Sequence, residues 1–200
     1  MSKRPHITEA TRKNIMDSFW KLYEIKPIEC ISVKEITDIA GYNRGTFYLY
    51  FKDIYDVLEQ IEDDVFKVME REITRYTEIL LSKENGPDFS DVTSATIGIF
   101  EACEYKPFVL LGDRGDPRFE KKFKDRIYVQ AKSFVDQHFD ADDETKEYII
   151  HFFISGVIGV MKKWYSDGMK ISVEEHLVMV CNVLFKSRKI INGSCGLKKL

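Results

Sequence analysis

The sequence of 200 residues is most informative first in what it lacks. No apolar run reaches about 18 residues, the length a helix needs to cross a bilayer, so no membrane-spanning segment is expected. Its four cysteines, Cys30, Cys103, Cys181 and Cys195, form no CxxC pair. Free thiols in a reducing compartment are the expectation, with no structural disulfide or zinc site. No basic cluster adjoins Cys103 in sequence to lower its pKa, so a redox role is not expected there. The histidines are His6, His138, His151 and His176, and no two stand three or four residues apart. That excludes a metal pair on one helical face, and neither a metal nor a cofactor is expected. There is no nucleophile elbow, phosphate loop or pocket motif of paired carboxylates, so the chain is not expected to be an enzyme. Residues 1–6 form a short basic arm without an apolar leader, and a cytoplasmic location is expected. Strand-type alternation, internal repeats and low-complexity segments are also missing, which leaves an all-α chain.

What is present is the composition of a globular protein, with 44% hydrophobic and 32% charged residues, enough for one large core or two small ones. The net charge of −3 argues at first against nucleic acid, but it is unevenly spread. Residues 1–52 hold nine Lys or Arg against six acids, a net of +3, which leaves −6 for the remainder. A mildly basic head on an acidic body is the asymmetry expected of a DNA-binding unit joined to something else.

The basic part contains one stretch with a definite pattern, Ile31 to Lys52. Ser32 and Glu35 have capping-box spacing, the hydroxyl serving one orphan N–H and the carboxylate reaching back to another. Val33, Ile36, Ile39 and Ala40 share a helical face. Gly41 is suited to the left-handed conformation that stops a helix, and Asn43 is a good N-cap for a second, shorter one. In that second helix Phe47 and Phe51 lie four apart and face inward. Arg44, Thr46, Tyr48 and Tyr50, with Lys52 just beyond, remain as donors suited to phosphates and base edges in a major groove. The pair reads as a helix-turn-helix.

The run from Thr11 to Leu58 resembles the N-terminal domain of TetR/AcrR-family transcriptional regulators. The residues that carry the resemblance are Thr11-Arg12, Ile15, Phe19 and Leu22, then Ser32-Val33, Ile36, Ala40-Gly41, Arg44 through Tyr48, and Tyr50-Phe51. The resemblance implies double-stranded operator DNA as partner, with Ser32, Lys34, Asn43, Arg44, Gly45, Thr46, Tyr48, Leu49, Tyr50 and Lys52 as DNA-binding residues. Lys34 and Arg44 are the base readers it implies, and Thr46, Tyr48, Tyr50 and Lys52 the phosphate contacts. One departure matters. The family commonly has a lysine at the second position of its fourth helix, where it meets phosphate; this sequence has Ile54. Lys52 or Tyr50 would then carry more of the anchoring. The stretch Gly156 to Tyr165 with Gly168-Met169 looks like the C-terminal domain of a subgroup common in Gram-positive bacteria. Regulators of the dihydroxyacetone kinase type lie near that subgroup.

Taken in order, a first helix is expected from near Thr8 to before Pro27, with Ile15, Phe19 and Leu22 inward. Phe19, Ile36, Phe47 and Phe51 are the expected core of a three-helix head. Asp53 and Asp56 open a long helix from Ile54 to about Ser82. The clearest break is Glu84 to Asp88. Further helices are expected over 90–105, 117–139, 143–165 and 172–187, with Ser172 and Glu175 a second capping box. The division expected is a DNA-binding domain over 1–52 and a helical domain over 53–200.

The resemblance implies that this second domain binds a small molecule and forms a homodimer. An apolar or amphipathic effector is expected, held by Met69, Phe100, Cys103, Phe108, Leu111, Phe123 and Tyr128, with Tyr128 and Glu101 as polar handles. The dimer is expected from two helices that are apolar on more than one face, through Tyr148, Ile149, Phe152, Phe153, Val157, Val160, Met161 and Trp164 on the first and Leu177, Val178, Val180, Cys181, Leu184 and Phe185 on the second. The function expected is a repressor released from a palindromic operator by its ligand. The alternatives are an activator governed by a protein partner and a helical interaction protein without DNA binding.

Overall fold

The computed structural model describes residues 5–81, 89–112 and 115–194, and among them every regular element is helical. The chain divides into two compact units, Met1–Lys67 and Val68–Leu200.

The first unit is built on α1 (Pro5–Tyr23), α2 (Val33–Ala40), α3 (Arg44–Tyr48) and the opening turns of α4 (Ile54–Leu81). α1 starts earlier than the sequence pattern suggests, because Pro5 suits a first helical turn whose N–H groups lack partners anyway. α2 carries both halves of its capping box: Ser32 Oγ accepts from the Glu35 N–H at 3.3 Å, and Glu35 Oε2 accepts from the Ser32 N–H at 3.0 Å. Lys26 Nζ adds an ion pair to the same carboxylate at 2.7 Å. The hydrogen bonds from Lys26 and Ser32 hold Glu35 down to a pKa of about 2. Gly41 ends α2 at φ 73°, where a side chain would be strained. Asn43 then caps α3 through Oδ1, which accepts from the Thr46 N–H at 2.8 Å. Phe19, Ile36, Phe47 and Phe51 form the expected core together with Ile15, none more than 2% exposed. Each such side chain contributes about 1.5–3 kcal/mol by leaving water. The unit continues past residue 52, since Arg12 of α1 bonds to Gln60 and Asp64 of α4.

The second unit holds the rest of α4 together with α5 (Phe89–Ala102), α6 (Lys106–Leu110), α7 (Pro117–His138), α8 (Asp143–Ser166) and α9 (Val173–Ser194). α4 has the expected length, with Asp53 Oδ1 accepting from the Asp56 N–H at 2.9 Å at its start. The break expected at Glu84 to Asp88 lies outside the described residues. α5 stops short of the expected Tyr105 because Glu104 and Tyr105 take left-handed φ of 51° and 55°. Pro107 then sits in the first turn of α6 instead of acting as a breaker. Asp142 caps α8, and Ser172 with Glu175 forms the second capping box at the start of α9. α9 extends to Ser194, beyond the expected end near Ser187. α7 packs on α8, α5 on α9, and α8 on both α6 and α9. Phe108, Leu110, Leu111, Phe119, Phe123, Ile150, Ile158 and Met161 are buried between them.

Candidate functional site

α3 is the short element on which the head's polar groups gather. Its inner side is fixed by Phe47, whose ring lies 5.5 Å from that of Phe51. With that side buried, Arg44, Gly45, Tyr48 and Leu49 are exposed, and so is Lys52. Leu49, an apolar side chain at the helix C-cap, is 81% exposed. Lys34 is exposed on α2. None of Lys34, Arg44 and Lys52 has an ion pair among the described residues, so three cations are available to an external anion. Ser32 and Asn43 are committed to caps, and the Thr46 hydroxyl donates to Asn43 Oδ1 at 3.2 Å. These three therefore shape the corner more than they offer free donors. Tyr50 is half-buried, its ring 6.4 Å from that of Phe51.

The sequence pattern did not reveal what holds the turn after α3. Asp56 Oδ2 accepts from the Lys52 N–H at 2.7 Å, and Gln60 Nε2 donates to Asp56 Oδ1 at 3.0 Å. Arg12 had only the resemblance to mark it, and its binding of Gln60 and Asp64 joins residues about fifty positions apart.

In the second unit the expected ligand walls can be placed one by one. Phe100 and Phe108 do come together, stacked at 4.8 Å. Phe108 meets Trp164 edge-on at 4.9 Å, and Trp164 stacks on His176 at 4.7 Å. Met69, Cys103, Leu111 and Phe123 are buried. Burial lifts the Cys103 thiol to a pKa of about 11, which keeps it protonated and unreactive. Tyr128 is half-buried; its hydroxyl donates to Glu147 at 2.6 Å, and its ring neighbours exposed His151 at 6.4 Å. Glu101 is exposed. A cleft of about 210 Å³ opens beside the start of α7, and of the expected walls it takes Leu111 alone. Its other lining is mostly backbone and polar groups, including Gly112, Asp116, Glu120 and Lys162. Lys162 Nζ and Glu120 Oε2 pair at 2.7 Å, so the cleft carries its own counter-charges. Gly115 is required there, since a Cβ would fall 1.8 Å from the Leu110 carbonyl oxygen.

The aromatic cluster contains a residue that sequence reasoning passed over. His176 is 0% exposed, and neither ring nitrogen has a hydrogen-bond partner among the described residues. Trp164 closes the corner beside it by donating from Nε1 to the Ile171 carbonyl at 3.0 Å. Burial pushes the His176 pKa below its ordinary value of 6.5, holding the ring neutral.

α8 and α9 also leave an apolar face uncovered. Tyr148 and Phe152 on α8 are 71% and 69% exposed, and Val183 on α9 is 59% exposed. Val160, Val178 and Met179 are also exposed and Val157 is half-buried, whereas Phe153, Met161, Trp164, Leu177 and Cys181, also expected at the dimer, are buried within this chain's own core. Gly156 and Gly159 face open space. The side chains of Leu184 and Phe185 lie outside the described residues.

Among the described residues no group of His, Cys, Asp and Glu is arranged to hold a metal, and no helix is long and apolar enough to cross a membrane. Residues 91–186 match the TetR_C_8 family model, described as a transcriptional regulator C-terminal region. Comparison with curated proteins finds no match. Among solved structures, the chain is similar to the fatty acid degradation regulator FadR from Bacillus halodurans, with TM-score 0.66 and 14% identity over 92% of this chain and 96% of that one. It is also similar to a TetR transcriptional regulator from Streptococcus agalactiae, with TM-score 0.59 and 16% identity over 90% and 96%. A third is the dihydroxyacetone kinase operon activator DhaS, with TM-score 0.53 and 17% identity over 91% and 98%. At these identities the likeness is one of fold.

The buried histidine makes the second unit sensitive to acid. The unfolded chain takes up a proton near 6.5, whereas the folded ring resists it. Stability should therefore be full above that pH and decline as the pH falls below it. In His176→Phe this part of the decline should disappear. At neutral pH the variant should also gain about 1 kcal/mol, since an unsatisfied buried polar group costs about that much or more. Thermal melts of both proteins from pH 8 to 5 check it; parallel pH profiles would contradict the account.

Proposed function

We propose that this chain, a TetR-type transcriptional regulator by its C-terminal region, binds a palindromic double-stranded DNA operator as a homodimer and is a repressor released by a small apolar or amphipathic effector. The observation that carries the reading is the corner at α2 and α3. Two cap-fixed helices leave Lys34, Arg44 and Lys52 exposed, without ion pairs among the described residues, next to exposed Tyr48 and Leu49. Arg44 would read a base edge as a bidentate donor, and Lys52 with Tyr50 would meet phosphate. Leu49 offers apolar surface to a thymine methyl or a sugar. The operator reading assigns residues 1–52 to DNA and the helical remainder to ligand and dimer.

The homodimer is supported by the uncovered apolar face of α8 and α9. A monomer seldom exposes neighbouring aromatic and branched side chains on this scale. Two such helices from each chain would form a four-helix bundle about a two-fold axis, with the open space at Gly156 and Gly159 admitting the partner. The two-fold then places two heads on two half-sites. Effector control is supported by the break between α5 and the five-residue α6 and by the aromatic cluster of Phe100, Phe108 and Trp164. A ligand releases DNA only through different affinities for the bound and released states. A second reading, an activator controlled by a protein partner, is favoured by the fold likeness to an operon activator.

Binding to the region upstream of the protein's own gene tests the DNA reading. Arg44→Ala should lose about 1–3 kcal/mol of discrimination between the preferred site and its single-base variants. Lys52→Ala should instead weaken all duplexes alike and flatten the salt slope by about one unit. A Lys52→Ala protein that changes base preference and keeps the slope would overturn these roles. For the dimer, Phe152→Glu should shift sedimentation at micromolar concentration from dimer to monomer; a wild-type protein that sediments as a monomer would remove the proposed face.

A further inference from the structure

A train of hydrogen bonds runs from α1 to the turn between α3 and α4. Arg12 Nε donates to Gln60 Oε1 at 2.9 Å, and Arg12 Nη1 and Nη2 both donate to Asp64 Oδ2, at 3.2 and 3.1 Å. Gln60 Nε2 donates to Asp56 Oδ1 at 3.0 Å and reaches the Tyr50 carbonyl oxygen at 3.5 Å. Asp56 Oδ2 accepts the Lys52 N–H at 2.7 Å. The direction of the train is fixed by chemistry. Arginine has only donors, so it selects the oxygen of the Gln60 amide. The amide nitrogen is thereby turned toward the two acceptors, the Asp56 carboxylate and the Tyr50 carbonyl. Reversing the amide would set a nitrogen against the guanidinium and an oxygen against a carboxylate.

The far end of the train grips two backbone groups, the carbonyl of Tyr50 and the N–H of Lys52, on either side of buried Phe51. The N–H groups of Tyr50 and Phe51 both close on the Phe47 carbonyl at 3.0 Å, the last bonds of α3. Lys52 lies beyond them and before Ile54 opens α4. Neither Ile54 nor Tyr55 at the start of α4 is a cation, so Lys52 is the cation that this turn presents. Lys52 is exposed and has a long, flexible stem. What its backbone sets is the point from which the ammonium reaches out.

We propose that Gln60 is a positioning residue for DNA binding: oriented by Arg12, it holds Tyr50 and, through Asp56, Lys52 where both can meet the same stretch of phosphate backbone. Gln60 itself touches no DNA. This inference rests on the reading of the head as a DNA-binding unit and adds to it a residue that no binding contact would reveal.

The test uses the full chain, a duplex carrying the sequence upstream of its own gene, and binding measured across a range of salt. Gln60→Glu keeps an oxygen for Arg12 but loses the donor to Asp56 and Tyr50. It should weaken binding about tenfold and flatten the slope of log K against log salt by about one unit, the signature of one lost phosphate contact. Adding Asp56→Asn should restore most of both. The amide nitrogen introduced at position 56 donates to the carboxylate at position 60, while its oxygen still accepts the Lys52 N–H. The net charge also returns to that of the natural chain. Lys52→Ala should cost little more in the Gln60→Glu background, because the two changes remove one contact. A Gln60→Glu protein that keeps the wild-type salt slope overturns the inference, as does a double variant that melts like the wild type yet binds like Gln60→Glu. If Gln60→Glu fails to fold, the double variant is compared instead with Gln60→Leu. Both carry the charge of the natural chain, and only Gln60→Leu should show the weakened binding and flatter slope. Should the wild-type protein bind no duplex at all, the DNA reading falls first and this inference with it; should it bind and the variants match it, the inference falls alone.

Discussion

The burial of Phe47 and Phe51 is the constraint on which the head depends. α3 is only five residues long, too short to persist in water without packing. Two aromatic side chains four apart pin it to the core, and their burial determines which side remains outside. Every candidate DNA contact on α3 is placed for that reason. The caps serve the same end. The Ser32–Glu35 box and Lys26 fix where α2 begins, left-handed Gly41 fixes where it stops, and Asn43 starts α3 two residues later. A shift of one residue in where α3 begins would turn its side chains by about 100° and take Phe47 off the inner side.

The second unit follows a different logic. Its core is assembled from segments far apart in sequence, and the cluster of Phe100, Phe108, Trp164 and His176 shows this most clearly. His176 brings two ring nitrogens without partners among the described residues into an aromatic environment, where desolvation is costly. The uncovered residues of α8 and α9 are a different feature, apolar side chains that this chain's own core does not take in.

Much of the head was legible because its signals are local. Ser32 with Glu35, Gly41 and Asn43 act within four residues of themselves, and α4 is legible from Ile54 to about Ser82 in its apolar period and the acids Asp53 and Asp56 at its start. The ends of other helices were less legible where the cause lay elsewhere. Glu104 and Tyr105 are not residues that announce a left-handed turn, yet both adopt one and shorten α5. The packing of the ligand walls is not legible in local signals: the structure joins Phe100 with Phe108 and turns Tyr128 to Glu147. His176 carries no signal in the sequence because its neighbours Phe108 and Trp164 are distant in the chain. The train from Arg12 to Lys52 was invisible for the same reason: each member alone is an ordinary polar residue on or beside a helix.

The central claim is that the exposed side of α3 reads DNA in two symmetrically related copies. Selection of bound duplexes from a random-sequence library, followed by hydroxyl-radical footprinting of the winners, tests it most directly. The account predicts enrichment of an inverted repeat whose half-sites are centred about one helical turn apart or a multiple of it, with protection confined to the phosphates flanking each half-site. Recovery of unenriched sequences, or of a single unrepeated site protected by one chain, would contradict it.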